Sequence, residues 1–115
     1  MTQDLTMDNR ELRALVYMAP SPIHGKGLFA RRRIPKGDYI GTYQGPEAKR
    51  NGSHVLWVFE EGQEPVGRRG FNLLRYLNHD DEPLAEFDGF DLYALRTIEP
   101  DEEITIDYNG VEEEA

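Results

Sequence analysis

Two short stretches concentrate the groups that could do chemistry in this chain. Arg75-Tyr76-Leu77-Asn78-His79 puts a cation, a phenol, an amide and an imidazole into one run, and Asp80-Asp81-Glu82-Pro83 then breaks it with an acidic turn. Such a run is poor core material and good site material, because charged and amide side chains are seldom buried without partners. Glu102-Glu103-Ile104-Thr105-Ile106-Asp107-Tyr108 alternates polar and apolar residues as a half-buried strand does, and it ends in a tyrosine. Upstream, His24-Gly25-Lys26-Gly27-Leu28-Phe29-Ala30 sets two glycines around a lysine before the chain turns apolar, the pattern of a loop with close backbone approach. Thr42-Tyr43-Gln44-Gly45 closes a strand with a second candidate phenol. Taken as residue types alone, each has a structural alternative. Tyr108, Tyr43 and Tyr76 could be core rings, Asn78 could cap a turn, and Gly-x-Gly could be a plain turn.

The elements that must position these groups are mostly short strands. A strand is expected in the second half of Glu11–Met18, broken by Ala19-Pro20-Ser21-Pro22, and another after the glycine loop. Pro35-Lys36-Gly37-Asp38 reads as a turn, Tyr39–Tyr43 as a strand, and Glu47–Ser53 as a surface loop. His54–Phe59 is the most strand-like run, and Glu60–Gly70 reads as a polar loop. Phe71, Leu74 and Leu77 recur at helical spacing, which predicts one or two helical turns with that face buried. Leu84–Phe87 and Leu92–Ile98 read as strands around an Asp88-Gly89 turn, Glu99–Glu102 as a turn, and Glu103–Tyr108 as the last strand. Met1–Asn9 reads as a frayed terminus and Val111–Ala115 as an acidic tail. Many short strands with little helix predict a mainly β fold built from small sheets, in a single domain over 1–115.

The chain has 115 residues, 38% hydrophobic and 30% charged, with a formal net charge of -9. A nucleic-acid binder is normally basic, so no direct nucleic-acid contact is expected, and Arg31-Arg32-Arg33 reads as a solvated strand end. An acidic surface suits a basic protein or peptide instead. There is no cysteine and only three scattered histidines, which excludes disulfides and cysteine-rich zinc sites and predicts no metal. No apolar run is long enough to span a membrane and no leader pattern is present, which predicts an intracellular protein, cytoplasmic or nuclear/nucleoid according to source.

The four motif regions come in the order used by SET-domain protein-lysine methyltransferases, and the chain from about Ala14 to Gly110 resembles that family. Arg75–His79 is similar to its Arg-Phe-x-Asn-His motif and Glu103–Tyr108 to its Glu-Leu-Thr-x-Asp-Tyr motif. The resemblance implies a SET-type β-clip of several small sheets with a C-terminal pseudoknot, an exception to the usual avoidance of threading. It implies S-adenosyl-L-methionine as cofactor and S-adenosyl-L-homocysteine as product. On it, the backbone around His24, Lys26, Gly27 and Leu28 holds the methionyl part, Asn78 holds the amino-acid end, and His79 contacts the adenine through its backbone. Arg75 either holds the cofactor carboxylate or pairs with Glu103, and Tyr76 packs on the adenine or in the core. Tyr108, also against the cofactor, and Tyr43 are the implied catalytic residues. Tyr43, Phe87 and Ile106 are the implied walls of the substrate lysine channel. This chain departs from the family where Asp80-Asp81 replaces Ser-Cys, where Leu84 replaces Asn, and where no tyrosine begins the His54–Trp57 strand. Only a few residues follow Tyr108, so the usual C-terminal lid over the channel is expected to be missing.

Methyl transfer from a sulfonium to an amine needs the neutral amine held in line in a dry site. Lysine has an ordinary pKa of about 10.4, which burial and an adjacent sulfonium lower, so no strong general base is required. A phenol at Tyr108 orients the amine and Tyr43 supplies a second wall. The resemblance implies that a tyrosine hydroxyl at either of two pocket positions would hold a water or the amine; Ile106 and Phe87 stand there without one, so di- or trimethyl-lysine is the implied end product. The alternative is a catalytically weak or inactive SET-like module that binds cofactor or a basic partner. Apolar residues around an open channel predict a homodimer.

Overall fold

The structure is a computed structural model that describes residues 9–50, 54–59 and 61–108. The expected irregular start over residues 1–8 and the acidic tail Val111–Ala115 lie outside the described residues. The described residues begin with a helix, α1 (Asn9–Leu15), where only a strand was expected nearby. Leu12 and Leu15 are three residues apart and both buried, so they form one apolar face. Strand β1 (Val16–Pro20) follows and includes Pro20, the residue expected to break it. The proline is tolerated because β1 is an edge strand, which leaves one side of its backbone without a ladder to donate into.

β1 pairs with β2 (Lys26–Ala30), which pairs with β10 (Glu103–Ile106), which pairs with β7 (Asn78–His79). The last strand therefore enters a sheet between two earlier segments, running antiparallel to β2 and parallel to β7. That order places Thr105 opposite Asn78 and Ile106 opposite His79, so the two principal motifs lie side by side. The second sheet has the order β3 (Tyr39–Thr42), β9 (Asp91–Ala94), β8 (Ala85–Asp88), with the β8–β9 hairpin at the expected turn. The third is β4 (Glu47–Ala48), β6 (Val66–Arg69), β5 (Val55–Val58).

Two strands of the third sheet correct the expectation of loops over Glu47–Ser53 and Glu60–Gly70. Val66-Gly67-Arg68-Arg69 has little strand propensity of its own. It is held by pairing on both sides and by the Trp57 ring, which packs where a Cβ on Gly67 would stand. The helical segment is a single 3-10 turn, Leu73–Tyr76. Leu74 and Leu77 are buried as expected, but Phe71 is 60% exposed, because the turn begins after it and its spacing carries no helical meaning. The core draws on all three sheets: Leu28, Ile34, Ile40, Leu92, Ile98 and Ile104 are buried completely or nearly so, and Leu56 of β5 joins them. Ile34 and Ile98 exchange backbone hydrogen bonds of 2.8 Å in both directions, which ties the two turn regions together.

Candidate active site

Four residues singled out in the sequence meet around one cavity. Tyr43 follows β3, Phe87 lies in β8, Ile106 ends β10 and Tyr108 stands two residues later. With Leu77 and Arg75 they help to line a cavity of about 160 Å³. Tyr43 is buried, its ring edge-on to Phe87 with centroids 5.8 Å apart. Its hydroxyl donates to the carbonyl of His54 at 2.6 Å. Gly70 N–H donates to that same carbonyl at 2.8 Å, and His54 itself sits at φ 60, in the left-handed region. Tyr108 is 42% exposed, and its hydroxyl donates to Leu77 O at 2.8 Å. A phenol whose proton is committed to a carbonyl meets any further group as an acceptor. Burial, reinforced by the neighbouring Tyr108, pushes the Tyr43 hydroxyl up to about 12, so it stays neutral at any physiological pH.

The Tyr43 ring depends on a glycine that sequence reading passed over as loop. A Cβ at Gly70 would overlap the Tyr43 ring and hydroxyl. Gly70→Ala is expected to cost about 1–3 kcal/mol of stability through overpacking and to displace the ring. Thermal unfolding together with the near-ultraviolet spectrum checks this, and an unchanged midpoint would show that the ring has room to move.

The second cluster lies where β2, β7 and β10 adjoin. The Asn78 amide nitrogen donates to His24 O at 3.1 Å, to Lys26 O at 3.1 Å and to Glu103 Oε2 at 3.0 Å. Ser21 Oγ donates to the same carboxylate at 2.9 Å and accepts Ile23 N–H at 2.9 Å, which shapes the loop before β2. Gly27 lets the Glu103 carboxylate approach the main chain, and a Cβ there would have to displace that carboxylate. His24, Lys26, Gly27 and Asn78 are thus brought together. Leu28 is wholly buried in the core, with β1 on one side and β10 on the other.

Arg75 corrects one alternative. It does not pair with Glu103; its guanidinium donates to Phe71 O at 2.6 Å, Asn72 O at 2.9 Å and the Tyr76 hydroxyl at 2.9 Å, and it stacks 4.5 Å from the Tyr76 ring centre. Glu103 instead anchors Ser21 and Asn78. That role carries no local sequence signal, since Ser21 is 82 residues away.

The His79 ring packs against Tyr108, with centroids 5.4 Å apart. Nε2 lies 2.9 Å from Asp81 Oδ1, and Nδ1 accepts Tyr108 N–H at 3.0 Å. Asp80, the other altered turn residue, accepts Glu82 N–H at 2.9 Å through its side chain. A second hollow of about 230 Å³ shares Phe87 and Ile106 with the first and carries Glu86 and Asp107 on its wall. Among the described residues no group of histidines and carboxylates could hold a metal ion.

Fold and site together define a small mainly β domain in which a tyrosine-walled cavity and an acceptor-rich glycine loop are both built on β10. The SET domain family model matches residues 25–109, and the chain belongs to the SET domain family. It is 30% identical to an H3 lysine-4 specific histone-lysine N-methyltransferase of Aspergillus oryzae, over 81% of this chain and 9% of that protein. It is 29% identical to the histone-lysine N-methyltransferase MEDEA of Arabidopsis thaliana, over 81% of this chain and 16% of that protein. The chain thus spans a small part of the length of these relatives. The fold matches the methyltransferase domain of human SETMAR with a TM-score of 0.72 at 23% identity, covering 83% of this chain and 44% of that one. It matches the methyltransferase domain of human PR domain-containing protein 2 with a TM-score of 0.67 at 22% identity, covering 92% and 90%.

Proposed function

We propose that the chain is an S-adenosyl-L-methionine-dependent protein-lysine N-methyltransferase. The observation that carries this reading is the pairing of Tyr43 and Tyr108 on one cavity, each with its hydroxyl proton already given to a backbone carbonyl. Two such phenols offer acceptor oxygens to the N–H groups of an incoming amine. Phe87, Ile106 and Leu77 keep the surroundings apolar, which favours the neutral amine over its ammonium form. Tyr43, whose hydroxyl burial pushes up to about 12, is neutral at physiological pH, so it orients and does not act as a base.

The residues present fit the cofactor. The carbonyls of His24 and Lys26 and the Glu103 carboxylate converge on Asn78, giving an acceptor-rich wall suited to a cationic amino-acid end. His24, Lys26, Gly27 and Asn78 would hold it, together with the backbone of His79, with Tyr76 and Arg75 beside them. When bound, it supplies a methyl group activated on a sulfonium. The chain binds it, aims the amine and excludes water.

The substrate in this reading is a lysine in a basic protein or peptide. The net charge of -9 and the Glu86 and Asp107 carboxylates beside the Phe87–Ile106 wall support that class. Phe87 and Ile106 carry no hydroxyl, which leaves room for an already methylated amine, so di- or trimethyl-lysine is the expected end product. Phe87→Tyr should shift products towards monomethyl-lysine, as read by mass spectrometry at long incubation. Monomethyl product alone from the unaltered chain would contradict the pocket assignment. A homodimer is part of the proposal, supported by the exposed Phe59, Val66 and Phe71. Light scattering that shows a monomer at high micromolar concentration would remove it.

The test of function has two arms. Calorimetry measures S-adenosyl-L-methionine binding, and mass spectrometry reads methylation of a pool of basic proteins. Binding with transfer supports an enzyme. Binding without transfer would leave a module that only binds, and neither would leave the fold alone.

A further inference from the structure

We propose that the His79 imidazole is a positioning residue for Tyr108, held in one tautomer by Asp81 and fixing the tyrosine by accepting its backbone N–H. The consequence for turnover rests on the methyltransferase reading above; the relay itself stands on geometry. Nδ1 accepts Tyr108 N–H at 3.0 Å, which requires a lone pair there. The proton of the neutral ring therefore sits on Nε2, where Asp81 Oδ1 receives it at 2.9 Å. The Tyr108 ring lies against the imidazole with centroids 5.4 Å apart. Its hydroxyl is tied to Leu77 O, two residues before His79. Tyr108 is thus pinned at both ends by the run Leu77–His79, by its hydroxyl and by its main chain.

The turn residues explain why this arrangement belongs to this chain. Asp81 supplies a carboxylate acceptor two residues after the ring it holds. Asp80 is engaged with Glu82 N–H and holds the turn closed. The charged and titratable groups facing the ring are Asp81 from that turn, and Asp107, 3.7 Å from Nδ1, and Tyr108 from the segment after β10. Ring protonation would put an N–H on Nδ1 pointing at another N–H. The bond to Tyr108 would be lost, and the new donor would be drawn to Asp107. Acid should therefore loosen the main chain of Tyr108, and the loss should follow the uptake of one proton.

Long-range proton–nitrogen spectra of the three histidines, with the Tyr108 amide followed as the ring is protonated, test the relay directly. The expected result is an Nε2–H tautomer for His79 and a Tyr108 amide that titrates with the same midpoint as the ring. In Asp81→Ala the other tautomer should gain population. In His79→Asn, whose side-chain oxygen can stand where Nδ1 stood, the Tyr108 amide should stop titrating. Single-turnover transfer to a poly-lysine probe reads the consequence. His79→Leu should slow the step by about tenfold while S-adenosyl-L-homocysteine affinity stays within about threefold, and His79→Asn should recover most of the rate. The amine's own deprotonation gives an acid limb common to all variants, so the ratio of unaltered chain to His79→Asn across pH isolates the ring. An Nδ1–H tautomer, a Tyr108 amide indifferent to the ring, or an undiminished rate in His79→Leu would overturn the proposal. Intact spectra with no transfer by the unaltered chain would overturn the methyltransferase reading and leave the relay standing.

Discussion

Tyr108→Phe is expected to lower single-turnover methyl transfer by about tenfold or more while leaving fold and cofactor affinity near their original values. The hydroxyl donates to Leu77 O at 2.8 Å, and Tyr108 lines the same cavity as Tyr43. Removing it deletes one positioned acceptor for the amine and leaves the Leu77 carbonyl without that donor. Losses of this kind cost on the order of 1–3 kcal/mol, and 1.4 kcal/mol is already tenfold. The ring remains to pack on His79, and the backbone bond to its Nδ1 is untouched, so structure should hold. Unchanged single-turnover kinetics would remove Tyr108 from the reaction.

Asn78→Ala is expected to weaken S-adenosyl-L-homocysteine binding by about tenfold or more. The amide is buried and serves three acceptors, the carbonyls of His24 and Lys26 and the Glu103 carboxylate. Hydrogen bonds to charged groups contribute about 1.5–3 kcal/mol, and here one of the three acceptors is ionised. Without the amide the glycine loop loses its tie to β7, while Glu103 keeps only its bond to Ser21 among these contacts. Calorimetry at fixed salt reads the affinity, and thermal unfolding separates it from a general loss of stability. An unchanged dissociation constant would place the cofactor elsewhere.

Strand alternation and motif order make much of this arrangement legible in the sequence. The polar–apolar alternation of Glu103–Ile106 and the turn-bounded runs around Tyr43 and Phe87 are local signals, and the residues they carry do surround one cavity. What escaped the sequence is non-local. The Ser21–Glu103–Asn78 cluster joins segments 82 and 25 residues apart, and no spacing rule links them. His54 reads as the start of a strand, yet it adopts a left-handed conformation so that its carbonyl can take both Tyr43 and Gly70. β6 forms from residues of low strand propensity because its neighbours on both sides and Trp57 fix it, an instance of tertiary context overriding local preference. Phe71 shared a helical spacing with Leu74 and Leu77 without sharing their helix, and it lies exposed.

The most direct test is a single-turnover reaction with S-adenosyl-L-methionine carrying an isotopically labelled methyl group, a basic lysine-containing protein pool as acceptor, and mass spectrometry to locate the label. The account predicts label on lysine side-chain nitrogen, formed by the unaltered chain and reduced about tenfold or more in Tyr108→Phe. Cofactor binding with no label on any lysine, or label formed equally well by Tyr108→Phe, would contradict it.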